Sequence, residues 1–264
     1  MDFTISRERF KEIPEYFREL QDRGMHVVII LDPALVIDRG NLNYKPYLSG
    51  VENDVYIKWP NGMSPDFNET NSNIMLGYCW PDDKVAYPDF LNDRSDKWWT
   101  DLIIEYRKAN ISFDALWIDM NEPAVFDTNE LKPWNWPDDK LPYWTLKCPK
   151  NKYDDPPYRT KNAFRYDSAQ KKARLSQNTL CMTGLQKDGK YTHYDVHNLY
   201  GLSESVITQK AVRLATGKRS FVLSRSTFIG SGRYSGPWLG EKDSSFKDLH
   251  RSIIGMIEFG LFGM

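Results

Sequence analysis

Three short apolar runs constrain this chain more than any other feature, because each stops abruptly at a charged residue. "VVIIL" ends at Asp32-Pro33, "ALWI" at Asp119, and "SFVLS" at Arg225. Short β-branched and apolar runs bounded by turn signals read as strands buried on both faces of a parallel sheet. A charge at the end of such a strand is costly to bury unless it is paired or has a task.

Helical patterns alternate with these runs. Residues 7–23 place Phe10, Ile13, Tyr16, Phe17 and Leu20 at helical spacing, with Gly24 as a stop. Ser95 looks like the N-cap of a second helix over 95–110, and helices are also expected over 203–217 and 244–264. Helix, strand, helix, strand argues for a right-handed parallel βα array. The loop bulk falls after strands and before helices, as two polar and aromatic excursions at about 35–94 and 124–200, both read as irregular. A (β/α)8 barrel keeps its active site on that rim. Only three good strands are visible, so the expected fold is α/β, a partial TIM barrel. A doubly wound open sheet is the structural alternative, but no Gly-rich phosphate loop follows the first strand.

Composition narrows the partners. The chain has 264 residues, and its 35 basic residues nearly cancel its 36 acidic ones, so no strong field points to nucleic acid, an anionic membrane or a highly charged substrate. Nine Trp, 15 Tyr and 13 Phe, several in loop-like stretches, suit a neutral ligand with flat apolar faces, of which sugars are one class. No signal peptide or membrane-spanning run is visible. Two sequons, at Asn68 and Asn110, would accept glycans in a secretory compartment. Cys148 and Cys181 flank one loop and could staple it, leaving Cys79 alone. His193 and His197 have a spacing compatible with metal ligation, but their Gly, Asn and Tyr surroundings favour structural hydrogen bonding.

In a barrel Asp32, Asp119 and Arg225 converge on one rim. For Asp32 before Pro33, turn chemistry and a functional role are both open readings. For Asp119 the structural reading is capping or a buried hydrogen bond. Asn121 and Glu122 argue against it, because they concentrate polar cost where a turn would not need it.

The stretch "WIDMNEP" resembles the signature of glycoside hydrolase family 31, the α-glucosidases and their relatives. The likeness extends through "GMHVVIILDPAL", "CWPDDKVAYPDF", "KWWTDLI", "TLCM", "HYDVHNLYG" and "FVLSRSTFIGSGRYSGPWLGEKDSSF". It is strongest to the lysosomal and intestinal maltase branch. It implies a (β/α)8 barrel, of which residues 1–264 would cover about the third to fifth strands. The remaining strands and flanking β-domains of a full-length protein would then be the chain's first partners. Three strands alone would leave two open sheet edges, so these residues by themselves are expected not to form a stable active enzyme. Oligomeric state is left open.

The resemblance also implies roles. Asp119 matches the nucleophile of a retaining glycosidase. Arg225, Trp80, Trp117, Met120, Trp238, Asp32 and Ile30 match residues lining the same sugar subsite. Glu241, in "GPWLGEKD", stands where the family's "HWxGD" has Asp, and Pro237 stands where it has His. Asp243 is a possible alternative acid. A loop disulfide between Cys148 and Cys181, no metal, no cofactor, and a secretory, lysosomal, cell-surface or extracellular setting are implied as well. The expected activity is release of terminal α-linked glucose from maltose-type oligosaccharides. The alternative is a sugar-binding or catalytically impaired relative, motivated by Glu241, Pro237 and Lys242. A third reading uses Asp119 and Glu122 as ligands of a metal-dependent barrel enzyme.

Overall fold

The computed structural model describes residues 1–38, 43–65, 72–80, 83–109, 111–157 and 174–264. Asn68 and Asn110, the expected glycan acceptors, lie outside the described residues. The chain divides into two compact units, one formed by Met1–Pro33, Arg94–Glu122 and Asn198–Met264, the other by Ala34–Asp93 and Pro123–His197. Among the described residues no helix is long and apolar enough to cross a membrane.

In chain order the elements are α1 (Ile13–Asp22), β1 (Val28–Leu31), β2 (Leu35–Val36), α2 (Lys45–Glu52), β3 (Leu76–Tyr78), β4 (Lys84–Ala86), α3 (Asp93–Ala109) and β5 (Ala115–Ile118). They continue with β6 (Leu185–Gln186), β7 (Tyr191–Thr192), α4 (His193–Val196), α5 (Tyr200–Thr216), β8 (Val222–Ser224), β9 (Gly236–Pro237) and α6 (Phe246–Phe262).

The first unit is built on a parallel sheet in the order β1-β5-β8-β9. The three expected strands are its first three members; β9, two residues long, is a fourth that no apolar run announced. Leu31, Leu116, Ile118 and Val222 are buried, together with Trp99 and Ile103 of α3 and Ala211 and Val212 of α5. Trp99 Nε1 donates to Thr208 Oγ1 at 3.0 Å, tying α3 to α5. At the strands' N-terminal ends, Asp114 Oδ2 accepts from the backbone N–H of Val27 at 2.9 Å and from Gln21 Nε2 at 2.8 Å, aligning the entries to β1 and β5.

Three expectations are corrected. The first helix starts at Ile13 rather than residue 7, because Pro14 has no N–H and fits only the first turn. The second starts at Asp93, which leaves Ser95 inside it and buried instead of capping it. Strand β1 is not buried on both faces: Val28 is 50% and Ile30 49% exposed, since alternate side chains point to the face that carries no helix. The last helix is as expected in type, with Ser245 accepting from Asp248 N–H at its start and Gly263 left-handed at its end.

The second unit gathers both excursions. They are not simply irregular: an antiparallel sheet β2-β4-β3, a hairpin β6-β7 and two short helices enclose buried Trp59, Met75, Leu76, Tyr78, Tyr87, Val125 and Leu180. Cys148 and Cys181, 33 residues apart, form a disulfide, and Cys79 is a buried cysteine outside it. His193 is fully buried, with Nδ1 3.0 Å from Gln186 Nε2 and Nε2 3.4 Å from Thr179 Oγ1. Thr179 Oγ1 donates to Pro123 O at 2.7 Å and so accepts from His193 Nε2–H, leaving Nδ1 to accept from Gln186. Burial holds His193 far below the usual histidine range, in the neutral form these contacts require.

Candidate functional site

The sheet register sets the site. Leu31 pairs with Ile118, Ile118 with Ser224, and Ser224 with Pro237. One residue further along each strand come Asp32, Asp119, Arg225 and Trp238, a row of neighbours at the C-terminal rim. The ladder still holds this row, with Asp119 N–H donating to Leu31 O and Arg225 N–H donating to Ile118 O, each at 3.2 Å. One row back on the same face, Ile30 pairs with Trp117. Trp117 meets Trp238 edge to face, with ring centres 5.2 Å apart. Five residues expected to line one subsite, and the expected nucleophile, thus share one sheet edge.

Arg225 organises the charges. Its Nη1 lies 3.0 Å from Asp119 Oδ1, while Nε and Nη2 each donate to Glu122 at 2.8 Å, and Nη2 also reaches Met120 Sδ at 2.9 Å. A guanidinium can make such a two-point contact and still present a third nitrogen; an ammonium cannot. Met120 makes this possible by turning left-handed, at φ 56°, directly after the strand. That conformation costs a non-glycine residue about 1 kcal/mol or more, and it brings Asp119 and Glu122 to the same cation. Glu122, whose two oxygens both receive hydrogen bonds from Arg225, is already engaged as an ion-pair partner rather than standing free as a ligand. Beneath the turn, Asn121 is buried. Its Nδ2 donates to Ser224 Oγ at 2.9 Å and its Oδ1 accepts from Ser226 N–H at 2.8 Å, locking the end of β5 to the end of β8.

Negative charge exceeds positive here. Burial raises Asp119 above the usual carboxylate range, the charges of Glu122 and Glu241 add to this, and the Met120 N–H and Arg225 oppose it. Burial pushes Asp32 up to about 7, with Asp2 and Asp119 adding and Arg225 opposing. Asp2 accepts from Asp32 N–H at 2.9 Å and is itself raised by burial to about 6. Glu204, on α5, is fully buried, and among the described residues neither carboxyl oxygen has a well-aligned hydrogen bond, although the Asn121 side chain is close enough to act on it. Burial holds it well above its ordinary value, the Asn121 side chain pulling the other way and Asp32, Glu122 and Asp2 reinforcing the rise. At Arg225 burial opposes the charge, but the Glu122 hydrogen bonds and the carboxylates outweigh it and keep it protonated.

Glu241 is exposed, in the loop after β9, close enough for its charge to act on Asp119. Asp243 is also exposed and leads into α6, its N–H bonded to Asp248 Oδ2 at 3.2 Å. Trp80 belongs to the second unit, where it packs against Phe126 and Trp134. A cavity of about 730 Å³ lies at the opposite end of the sheet, where Val28, Ala115, Val222 and Gly236 begin their strands, away from the carboxylates. Sequence reasoning missed Glu204 and Asp2. Glu204 had a signal: it interrupts the stripe of Tyr200, Ile207 and Ala211 on α5, the face that is buried.

Comparison with known proteins bears on this geometry. The glycosyl hydrolases family 31 TIM-barrel domain matches residues 1–264. The whole chain aligns with intestinal sucrase-isomaltase of Homo sapiens at 36% identity, covering 14% of that protein. It also aligns whole with lysosomal alpha-glucosidase of Bos taurus at 34% identity, covering 24% of that protein. Among solved structures, the glucosidase II alpha subunit in a Tris-bound form superposes with a TM-score of 0.62 at 23% identity, over 92% of this chain and 20% of that one. The chain therefore spans about a quarter or less of the relatives it matches.

Proposed function

The chain belongs to glycosyl hydrolase family 31, and from that premise we propose that it carries the nucleophile and the acid/base of a retaining α-glucosidase, Asp119 and Glu241. The observation that carries the reading is Asp119 at the C-terminal end of a parallel strand, part-buried and paired with Arg225.

Retention needs two displacements. In the first, the Asp119 carboxylate attacks the anomeric carbon while Glu241 gives its proton to the departing oxygen, leaving a glycosyl ester on Asp119. In the second, the Glu241 carboxylate takes a proton from water, which attacks the same carbon and frees Asp119. The nucleophile has to be ionised although burial resists it, and Arg225 and the Met120 N–H supply the opposing stabilisation. Glu241, open to solvent on its loop, can exchange its proton between steps.

Binding falls to the rest of the row. The Trp117 and Trp238 rings offer apolar walls to a pyranose. Asp32, held up to about 7, is able to give or accept a hydrogen bond at a sugar hydroxyl near neutral pH. We take the substrate to be terminal α-linked glucose on maltose-type oligosaccharides, a choice supported by the relatives named sucrase-isomaltase and lysosomal alpha-glucosidase. The Cys148–Cys181 disulfide supports an oxidising setting, such as the secretory pathway, the lysosome or the cell surface.

Trapping tests this. In the full-length protein that carries these residues, a fluorinated α-glucoside with an activated leaving group should leave a glycosyl mass on the peptide containing Asp119, and maltose should release α-glucose first. Label on another carboxylate, or β-glucose as first product, would sink the assignment. Turnover of an activated aryl α-glucoside but not of maltose would mean a working nucleophile with a failed acid.

A further inference from the structure

The second unit holds two large rings outward that its own core does not use. Trp134 is 66% and Trp80 49% exposed, although each could bury a large apolar area. They meet edge to face, with centres 6.1 Å apart and planes at 88°. Phe126 closes the corner, 4.9 Å from Trp80 and 5.9 Å from Trp134.

The rings sit on anchored backbone. Trp134 follows Pro133, and its N–H donates to Asp127 Oδ2 at 2.6 Å. Phe126 N–H donates to Tyr78 O at 2.8 Å, which ties this segment to β3. Trp80 is left-handed at φ 59°, a conformation that a bulky residue rarely adopts, and Asp127 is left-handed at φ 51°. Three described charges nearby are engaged: Lys132 pairs with Asp138, and Lys140 lies 5.6 Å from the Trp136 ring centre. The surface is thus aromatic and held by backbone hydrogen bonds, and the described charges named beside it are engaged, which suits a neutral ligand with flat C–H faces.

We propose that Trp134, with Trp80, forms a stacking platform for a glucose unit of an α-glucan chain. A longer α-glucan then gains a contact that a single glucoside cannot make. This rests on the glucoside reading above and extends it to a residue that the family resemblance did not assign.

The test reads binding and catalysis separately. The protein, W134A and W134F, each also carrying D119N to suppress hydrolysis, are run in native gels containing soluble starch. The platform predicts that starch retards the parent and W134F, and that W134A has a several-fold weaker apparent affinity. In the active background, kcat/KM for maltotetraose divided by that for an aryl α-glucoside should fall about tenfold in W134A, the effect of losing one good aromatic contact. Retardation and ratio both unmoved in W134A would overturn the proposal and leave the rings to another apolar partner. If no substrate is hydrolysed at all, the gel shift still decides the platform, and only the glucosidase reading fails.

Discussion

Arg225 Nη1 lies 3.0 Å from Asp119 Oδ1, and the same guanidinium holds Glu122 with its other two nitrogens. One cation therefore serves two carboxylates at the end of β5, and after the Met120 N–H it is the main group opposing the rise that burial imposes on Asp119. Replacing Arg225 with Ala should lower kcat/KM for an aryl α-glucoside by about a hundredfold or more. The direction in pH follows. Without Arg225 the Asp119 carboxyl rises further, so the acid limb of the rate profile moves to higher pH. Arg225→Lys should recover only part, because an ammonium cannot span both partners. A profile whose acid limb does not move would separate Asp119 from this pair.

Glu241 can be tested through the leaving group. Protonation by a positioned acid is worth about 10²–10⁴ in rate when the departing oxygen is basic, and little when it departs readily as an anion. Glu241→Gln should therefore cut maltose hydrolysis by about that factor while an activated aryl α-glucoside loses much less in its first displacement. Equal losses on both substrates, measured as kcat/KM, would remove Glu241 from the acid role. An Asp243→Asn variant measured alongside assigns the role if Glu241 does not hold it.

The legible part of this fold was local. Each main strand is an apolar run that stops at a charge, so β1, β5, β8 and the residues ending them can be read directly from "VVIIL", "ALWI" and "SFVLS". The row of Asp32, Asp119, Arg225 and Trp238 was only partly legible, because β1, β5 and β8 pair across long stretches of chain, and β9 is too short to leave a pattern. Asp2 meets Asp32 across 30 residues of chain, a pairing no periodicity records. The second unit's core was illegible for a related reason: strands of two or three residues bury tyrosines and tryptophans scattered through polar text. Glu204 is different. It sits on an apolar stripe, where an acidic residue is a signal that was available and not used.

Asp32 links stability to pH. Its carboxyl is raised from 3.8 to about 7 in the folded protein, so between those values the folded state holds a proton that the unfolded state has lost. Its contribution to stability is intact below about pH 4 and falls as pH rises to about 7, after which it is constant. Asp32→Asn removes that slope. The variant should gain roughly 2 kcal/mol relative to the parent at pH 7.5 and little at pH 4, after allowing for partial solvent screening. Denaturant midpoints at the two pH values measure this; an equal gain at both would mean that charge is not the cause.

Glu204 sets stability against function more sharply. A fully buried carboxyl with no well-aligned hydrogen bond among the described residues, helped only by the nearby Asn121 side chain, is a costly group for a core to hold, even when protonated. Burial raises its pKa well above the ordinary value, so its contribution to stability weakens as pH climbs past about 4.5. Met has a similar length and no polar oxygens, so Glu204→Met should raise the melting temperature at pH 7.5, by an amount corresponding to about 1–3 kcal/mol, and should flatten the pH dependence. Ala would instead leave a cavity and destabilise. Natural cores hold such a group where it has a task elsewhere, and here its charge would act on Asp32 and Glu122, two carboxylates of the candidate site. A stabilised Met variant with slowed glucoside turnover would assign Glu204 to that site, whereas a stabilised variant with unaltered turnover at every pH would reduce it to a core residue.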